Sequence, residues 1–150
     1  MTDTDAVVLE LESVLRARSA MLVAARPGEC VFCYVARMVN EFGCDTTLRW
    51  ATGYRDRWAP RATGLANRLG SVGGYCDCEI FLNGYTLVDA VLVPRPLFPG
   101  LTAQQLALYG YDDPAEATEL AAPDIPPPCG TVRRGSTQPC SNWRHYRRGE

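Results

Sequence analysis

The chain has 150 residues, a formal net charge of −2 and an isoelectric point of about 5.4, with 47% hydrophobic and 21% charged residues. These values are typical of one folded domain, which at this length buries about 70% of its unfolded surface without cross-links. The acidic balance excludes a global basic field of the kind that holds nucleic acid, so any such contact must come from a local patch.

No stretch of the sequence indicates export or membrane insertion. The N-terminal segment begins with acidic residues rather than a basic region, and it shows no small-residue cleavage site, so we expect no signal peptide. No run reaches the roughly 18 apolar residues that a membrane helix needs. We therefore expect a cytoplasmic protein with no membrane partner.

Helical periodicity dominates the first half of the chain, where apolar residues recur three or four positions apart. Four helices are predicted, over residues 5–25, 30–42, 46–59 and 61–71. Gly43 is expected to end the second helix, Asp45 to cap the third and Pro60 to close it. This half of the chain should therefore form a small helical domain.

Short strands are predicted downstream of the helices. Residues 75–82 alternate with period two, which indicates a strand, and residues 85–93 fit either a second strand or a short helix. The predicted fold class is mostly α with a short strand or hairpin, an α+β domain stapled by zinc and followed by a Pro-rich C-terminal extension.

The second half of the chain contains a proline-rich stretch. Eight of the eleven prolines fall between Pro94 and Pro128, so no long regular element is expected there. Thr102 and Asp113 are expected to cap two brief helices within this stretch. We predict a helical, cysteine-rich zinc-binding domain over 1–93, a Pro-rich extension over 94–125 and a flexible basic tail over 126–150.

Seven cysteines carry most of the functional information, and four of them form closely spaced pairs. Cys30 and Cys33 form a C-x2-C pair at a predicted helix start, where N–H groups and the helix dipole favour thiolates. Cys76 and Cys78 form a C-x-C pair on one side of a predicted strand, and Cys44 is a fifth thiol near these elements. Zinc binds four nitrogen or sulfur ligands, so we predict one zinc site from these five residues, and the spacing leaves open which four bind.

Other roles for the cysteines have weaker support in the sequence. Burial in a core does not explain the tight pairs, and a thioredoxin-type redox pair would need a βαβ pattern that is missing here. A metal-dependent or thiol enzyme would use Glu79 or Asp45 as an acid–base group, but the deaminase H-x-E motif is absent. On an alternating strand, Asp77 and Glu79 would also face away from the sulfurs. We therefore predict a protein without catalysis.

The C-terminal tail is basic and contains aromatic residues. Its candidate contacts for RNA or a protein partner are Arg133, Arg134, Trp143, Arg144, Arg147 and Arg148, because arginines and aromatic rings can bind phosphates and stack on bases. A solvated chain end is the other interpretation. A second metal half-site from Cys129, Cys140 and His145 would lack a fourth ligand, so free thiols are expected there.

Two motifs give the middle of the chain a family resemblance. Residues 43–49 read GCDTTLR, and residues 73–80 read GGYCDCEI. The middle third of the chain resembles a bacterial domain-of-unknown-function family whose hallmarks are a GCDxTLR-type and a GGxCDCEV-type segment. Shorter members of that family carry a histidine directly after the GCD triplet, where this sequence has Thr46.

The resemblance implies that Cys44 belongs to the metal site with Cys76 and Cys78, and that the added C-x2-C can replace the histidine. Longer, actinobacterial chains with this C-x2-C are similar to recruitment factors that place a hibernation factor on ribosomes when zinc is scarce. The resemblance therefore implies a zinc-responsive adaptor in a stress response, with the ribosome or a ribosome-bound hibernation factor as partner and rRNA as a further contact. A structural zinc module that binds RNA through the arginine tail is the alternative.

Overall fold

The computed structural model describes residues 2–130 and 132–146. These residues contain five α-helices: α1 (Asp3–Leu22), α2 (Val31–Phe42), α3 (Arg49–Trp58), α4 (Leu65–Gly70) and α5 (Ala103–Leu108). They also contain four short strands: β1 (Tyr85–Leu87), β2 (Val93–Pro96), β3 (Thr118–Ala121) and β4 (Trp143–His145). The prediction of a small, helix-rich α+β fold is confirmed. Among the described helices, none has both the length and the apolar character needed to cross a membrane.

The core lies where α2 packs against α3 and α4. Phe32, Val35 and Met38 recur three positions apart on α2, which places them on one buried face of the helix. Leu65 and Leu69 of α4 pack in the same cluster, and all five side chains are at most 2% exposed. The predicted end of α2 is confirmed, since the helix ends at residue 42 and the next residue, a glycine with φ +78, is its C-cap.

The start of α3 differs from the prediction. Asp45 does not cap this helix; its carboxylate accepts hydrogen bonds from the N–H and the hydroxyl of Thr47 at 3.1 and 2.6 Å. The carboxylate of Asp77 accepts the N–H groups of Trp50 and Ala51 at 2.8 and 3.1 Å instead. The first turn of α3 is therefore capped by a side chain 26 to 27 positions away in the sequence. Capping rules consider only residues next to the helix start, so they could not predict this cap.

The strand predicted at residues 75–82 is wrong. Residues 75–78 form a turn, and a π-helical turn at Ile80–Gly84 leads into β1. Gly73 has φ +84, and a Cβ at Gly74 would lie 3.2 Å from the Cα of Ile80, so the double glycine permits a tight change of direction. Asp77 is buried because its carboxylate caps α3, so the alternation of residue types does not correspond to the two faces of a strand.

The segment after Pro126 packs against the helices, although a poorly ordered tail was expected. Strand β4 pairs antiparallel with β1, and His145 lies opposite Tyr85. Cys140 is part of the buried core cluster, and Cys129 packs against it. Two of the candidate contact residues, at positions 147 and 148, lie outside the described residues.

The proline-rich segment forms a second small sheet, in which β2 pairs antiparallel with β3. Pro94 and Pro96 lie in β2, as expected only for an edge strand. The Thr102 side chain caps α5, and the Asp113 carboxylate accepts the N–H of Ala115 at the start of a 3-10 turn. Both predicted caps are therefore confirmed.

Helix α1 stands apart from the core. The helix prediction is confirmed, but no residue of α1 is buried. Its large exposed apolar residues are Val7, Val8, Leu9, Leu11, Val14, Leu15, Met21 and Leu22. The structure thus presents an apolar helix surface that the described part of the chain does not cover.

Candidate metal centres

Four cysteines from three parts of the chain meet at the start of α2. The Sγ atoms of Cys30, Cys33, Cys129 and Cys140 all lie within 4.8 Å of one another, and those of Cys33 and Cys140 are 3.7 Å apart. A tetrahedron with Zn–S distances of about 2.3 Å has sulfur atoms about 3.8 Å apart. This four-cysteine group therefore has the dimensions of a site for one tetrahedral ion.

Hydrogen bonds hold the sulfur atoms of the four-cysteine group. The N–H of Cys30 donates to the Sγ of Cys129 at 3.3 Å, and the N–H of Cys33 donates to the Sγ of Cys30 at 3.4 Å. The indole N–H of Trp143 donates to the Sγ of Cys33 at 3.3 Å. Such donors stabilise thiolates and orient metal ligands, so the contacts suit a bound cation.

The thiols of the four-cysteine group differ in pKa, because hydrogen bonds and burial shift the values of different thiols in opposite directions. The hydrogen bond from the Cys33 side chain lowers the pKa of Cys30 to about 5, although burial acts in the opposite direction. The same hydrogen bond, together with burial, raises the pKa of Cys33. Burial raises the pKa of Cys140 to about 12. One thiolate forms first, and a divalent cation would favour ionisation of its neighbours.

A second group, the three-cysteine group, contains Cys44, Cys76 and Cys78. Their Sγ atoms lie within 4.8 Å of one another, and those of Cys76 and Cys78 are 3.3 Å apart. Cys44 comes from the loop after α2, whereas the other two come from the turn before the π-helical segment. The structure therefore brings the segments GCDTTLR and GGYCDCEI together at one cluster of thiols.

The protonation pattern of the three-cysteine group is similarly uneven. Burial acts to raise the pKa of Cys44, but hydrogen bonds from the N–H groups of Cys78 and Thr46 prevail and lower it. Hydrogen bonding with Cys76, and then with Cys44, raises the pKa of Cys78 to about 12. The thiol of Cys44 therefore ionises more readily than that of Cys78, and a bound cation would favour ionisation of Cys78.

The five cysteines expected to share one zinc site do not form one group. The structure keeps both predicted pairs together but separates them: Cys30 and Cys33 join the two tail cysteines, and Cys76 and Cys78 join Cys44. The tail cysteines were expected to be free thiols. The signal for their role was weak, because they lie eleven positions apart and about a hundred positions from the C-x2-C pair.

The acidic residues considered for catalysis have structural contacts. The Glu79 carboxylate accepts the N–H of Tyr75 at 3.0 Å. The Asp45 carboxylate bonds Thr47, and the Asp77 carboxylate caps α3. Each of the three carboxylates therefore accepts a backbone N–H near its own turn or at the start of α3.

The candidate contact residues of the tail lie in different settings. Arg133 and Arg134 are exposed. Arg144 forms an ion pair with Asp89 at 3.5 Å. The Trp143 ring packs on Phe81 at a centroid distance of 4.9 Å and donates its N–H within the four-cysteine group. Partner binding through these residues stays a prediction.

Comparison with known proteins shows the family to which the chain belongs. Residues 31–83 match the family model described as "Protein of unknown function (DUF2695)". Uncharacterized proteins of Mycobacterium tuberculosis and Mycobacterium bovis are 39% identical to the chain over 72 residues, which covers 45% of this chain and 69% of each relative. The chain belongs to the DUF2695 family. No solved structure matches it at a significant level.

The segment that matches DUF2695 contains one of the two cysteine groups completely and the other only in part. The matched segment contains all of the three-cysteine group, at Cys44, Cys76 and Cys78. It contains only Cys33 of the four-cysteine group, whose other members flank the segment. The four-cysteine group therefore depends on parts of the chain outside the DUF2695 segment.

Proposed function

We propose that the protein is a cytoplasmic, zinc-responsive adaptor without catalytic activity. The observation that carries the proposal is the meeting of Cys30, Cys33, Cys129 and Cys140, whose sulfurs all lie within 4.8 Å of one another. Four thiolates in a tetrahedron favour zinc, a borderline-soft ion that commonly binds four cysteines in structural sites.

Zinc binding at the four-cysteine group would couple to the position of the C-terminal segment. Cys30 and Cys33 belong to the start of α2, whereas Cys129 and Cys140 belong to the segment after the prolines. Without a cation, no bond to a shared ion joins these two parts of the chain. Loss of zinc should therefore loosen the C-terminal segment and change the surface that a partner meets.

The proposed partner is the ribosome or a ribosome-bound hibernation factor, with rRNA as a further contact. One support is the resemblance of the C-x2-C chain to recruitment factors that act when zinc is scarce. A second support is α1, a helix of 20 residues whose apolar side chains are exposed and offer a docking element. The exposed Arg133 and Arg134 add positive charge suited to phosphates.

The proposal is tested by metal analysis and ribosome cosedimentation with the purified full chain. We expect zinc to copurify, Cys33→Ser to reduce the zinc content, and ribosome association to change with zinc occupancy. A chain without residues 2–22 should keep its zinc and lose ribosome association. Purified protein that carries iron or no metal would contradict the proposal. Ribosome association that depends neither on zinc occupancy nor on residues 2–22 would also contradict it.

A second candidate function is RNA binding by a structural zinc module, which the exposure of Arg133 and Arg134 favours. Deleting the tail would also remove Cys129 and Cys140, so the sharper test is the double variant Arg133→Glu, Arg134→Glu. Loss of RNA binding with unchanged zinc content supports this candidate. Binding that survives the double variant excludes these two arginines as the RNA contact.

A further inference from the structure

The three-cysteine group lacks a fourth protein ligand. The sulfurs of Cys44, Cys76 and Cys78 lie within 4.8 Å of one another. Within residues 2–130 and 132–146, no fourth histidine, cysteine, aspartate or glutamate ligand atom lies that close to all three. A tetrahedral ion held here would have three sulfur ligands and one position left for an exogenous ligand.

We propose that Cys44, Cys76 and Cys78 form a second zinc site, separate from the four-cysteine group, whose fourth ligand is an exchangeable water molecule. This inference rests on the proposed function, because it adds to the zinc-responsive adaptor a second site that loses its ion first. The four-cysteine group then holds the more slowly exchanging ion.

The turn that carries two of the three sulfurs is fixed by the carboxylate between them. Asp77 is fully buried, and its carboxylate accepts the N–H of Trp50 at 2.8 Å. Its own N–H donates to the carbonyl of Thr47 at 3.0 Å. These bonds anchor the turn to the start of α3 and leave the sulfurs of Cys76 and Cys78 3.3 Å apart. Ligands that are already positioned lose little freedom when an ion binds.

The loop that carries the third sulfur contains a strained residue. Thr46 has φ +68 and is the single non-glycine residue with positive φ among the described residues. β-branched residues rarely adopt this conformation, and such strain is concentrated at ligand sites and switches. Thr46 lies two positions after Cys44, in the loop that brings this sulfur to those of Cys76 and Cys78.

The two cysteine groups differ in how many of their members are buried. Each group has two half-buried cysteines, but the four-cysteine group adds two buried ones, Cys30 and Cys140 at 0% and 4% exposed. The three-cysteine group adds one, Cys76 at 7% exposed. An ion with an open, wet position exchanges faster than an ion enclosed by four ligands. The three-cysteine group should therefore release zinc first when zinc becomes scarce.

The test measures zinc stoichiometry and the kinetics of zinc transfer from the purified full chain to a chromogenic chelator. We expect two zinc ions per chain and two release phases. Cys78→Ser should remove one ion and the faster phase, whereas the double variant Cys33→Ser, Cys129→Ser should remove the other ion and the slower phase. The two variants are matched, because each replaces half-buried cysteines and leaves two sulfurs in the group that it alters.

Cobalt provides an independent measurement of the ligand sets. Charge-transfer absorption between thiolate and Co²⁺ grows with the number of sulfur ligands. After Co²⁺ loading, the chain with Cys33→Ser and Cys129→Ser retains the three-sulfur site, and the Cys78→Ser chain retains the four-sulfur site. The absorption per bound ion should therefore be weaker in the double variant, in the ratio of three sulfurs to four.

The outcomes separate this inference from the proposed function. One bound zinc ion that only the double variant Cys33→Ser, Cys129→Ser removes would overturn the second site and leave the proposed function standing. No bound zinc at all would overturn both. Two ions that leave in a single phase would overturn the assignment of the faster release to the three-cysteine group. If Cys78→Ser does not fold, Cys44→Ser removes a sulfur of the same group from a different loop, with the same expected results.

Discussion

Asp77 connects the C-x-C pair to the helical core. Its backbone lies between two candidate ligands, while its carboxylate points into the protein and accepts two N–H groups at the start of α3. A buried carboxylate is costly unless hydrogen bonds compensate it, and here the helix N-terminus supplies them. The CDC sequence therefore places a candidate ligand sulfur on each side of a buried carboxylate that caps α3.

Replacement of this carboxylate by an amide should destabilise the fold. In Asp77→Asn one acceptor oxygen becomes an NH2 group that faces an N–H donor. We expect the free energy of unfolding to fall by about 1–3 kcal/mol, the usual cost of an unsatisfied buried group. Urea denaturation at fixed zinc concentration measures the change. Asp45→Asn, at a half-exposed turn, is the matched control and should change it by less than about 1 kcal/mol.

The indole N–H of Trp143 should tune metal affinity at the four-cysteine group. Trp143→Phe removes the donor to Cys33 but keeps an aromatic ring next to Phe81. Loss of such an outer contact typically weakens metal affinity about 10-fold to 100-fold. Competition with a chelator of known affinity measures the effect. The exposed Trp58 offers a control, and equal effects of Trp58→Phe and Trp143→Phe would contradict a role for the N–H.

At the scale of elements, sequence rules were right where the interacting groups are near neighbours in the chain. Thr102 and Asp113 cap their helices within three positions, so composition and order alone predict them. Asp45 was assigned to α3 by the same rule, but Asp77 occupies that place from a distant turn. Tertiary packing decides which carboxylate reaches a helix start, and packing is not a local property.

The candidate metal sites show the same difference between contacts of near neighbours in the chain, which the sequence predicts, and contacts of distant segments, which it does not. Each short pair, Cys30 with Cys33 and Cys76 with Cys78, is a feature of local spacing, and the structure keeps each pair together. Which pairs share a site depends on the path of the proline-rich segment and on the pairing of β4 with β1. No period or spacing in the sequence encodes that path, and the tail was therefore assigned no part in the site.

Helix α1 should be dispensable for the stability of the domain. It buries none of its residues, whereas the residues that follow it are tied to α2: the Tyr34 hydroxyl donates to the carbonyl of Val23 at 2.8 Å, and Arg37 donates to that of Ala24 at 3.0 Å. Removal of residues 2–22 keeps these bonds. We expect the free energy of unfolding to change by about 0.5 kcal/mol or less, as for other surface changes. A loss above about 2 kcal/mol in urea denaturation would show that α1 packs on the core in solution.

At the scale of the whole molecule, metal removal should loosen the C-terminal segment before the helical core. The core of α2, α3 and α4 is held by apolar packing, while the C-terminal segment supplies two sulfurs to the four-cysteine group and one strand to a small sheet. Hydrogen exchange followed by mass spectrometry, with and without a zinc chelator, measures both regions. We expect chelation to speed exchange in residues 129–145 and to leave α2 protected.

Two variants assign the exchange change to one cysteine group. Cys140→Ser should reproduce the faster exchange of residues 129–145 without a chelator, because it removes a ligand supplied by that segment. Cys78→Ser should leave the segment protected, since its sulfur belongs to the other group. Uniform acceleration over the whole chain would mean that the metal supports the core itself. Unchanged exchange in both variants and in the chelated protein would mean that packing alone, and not zinc, holds the C-terminal segment in place.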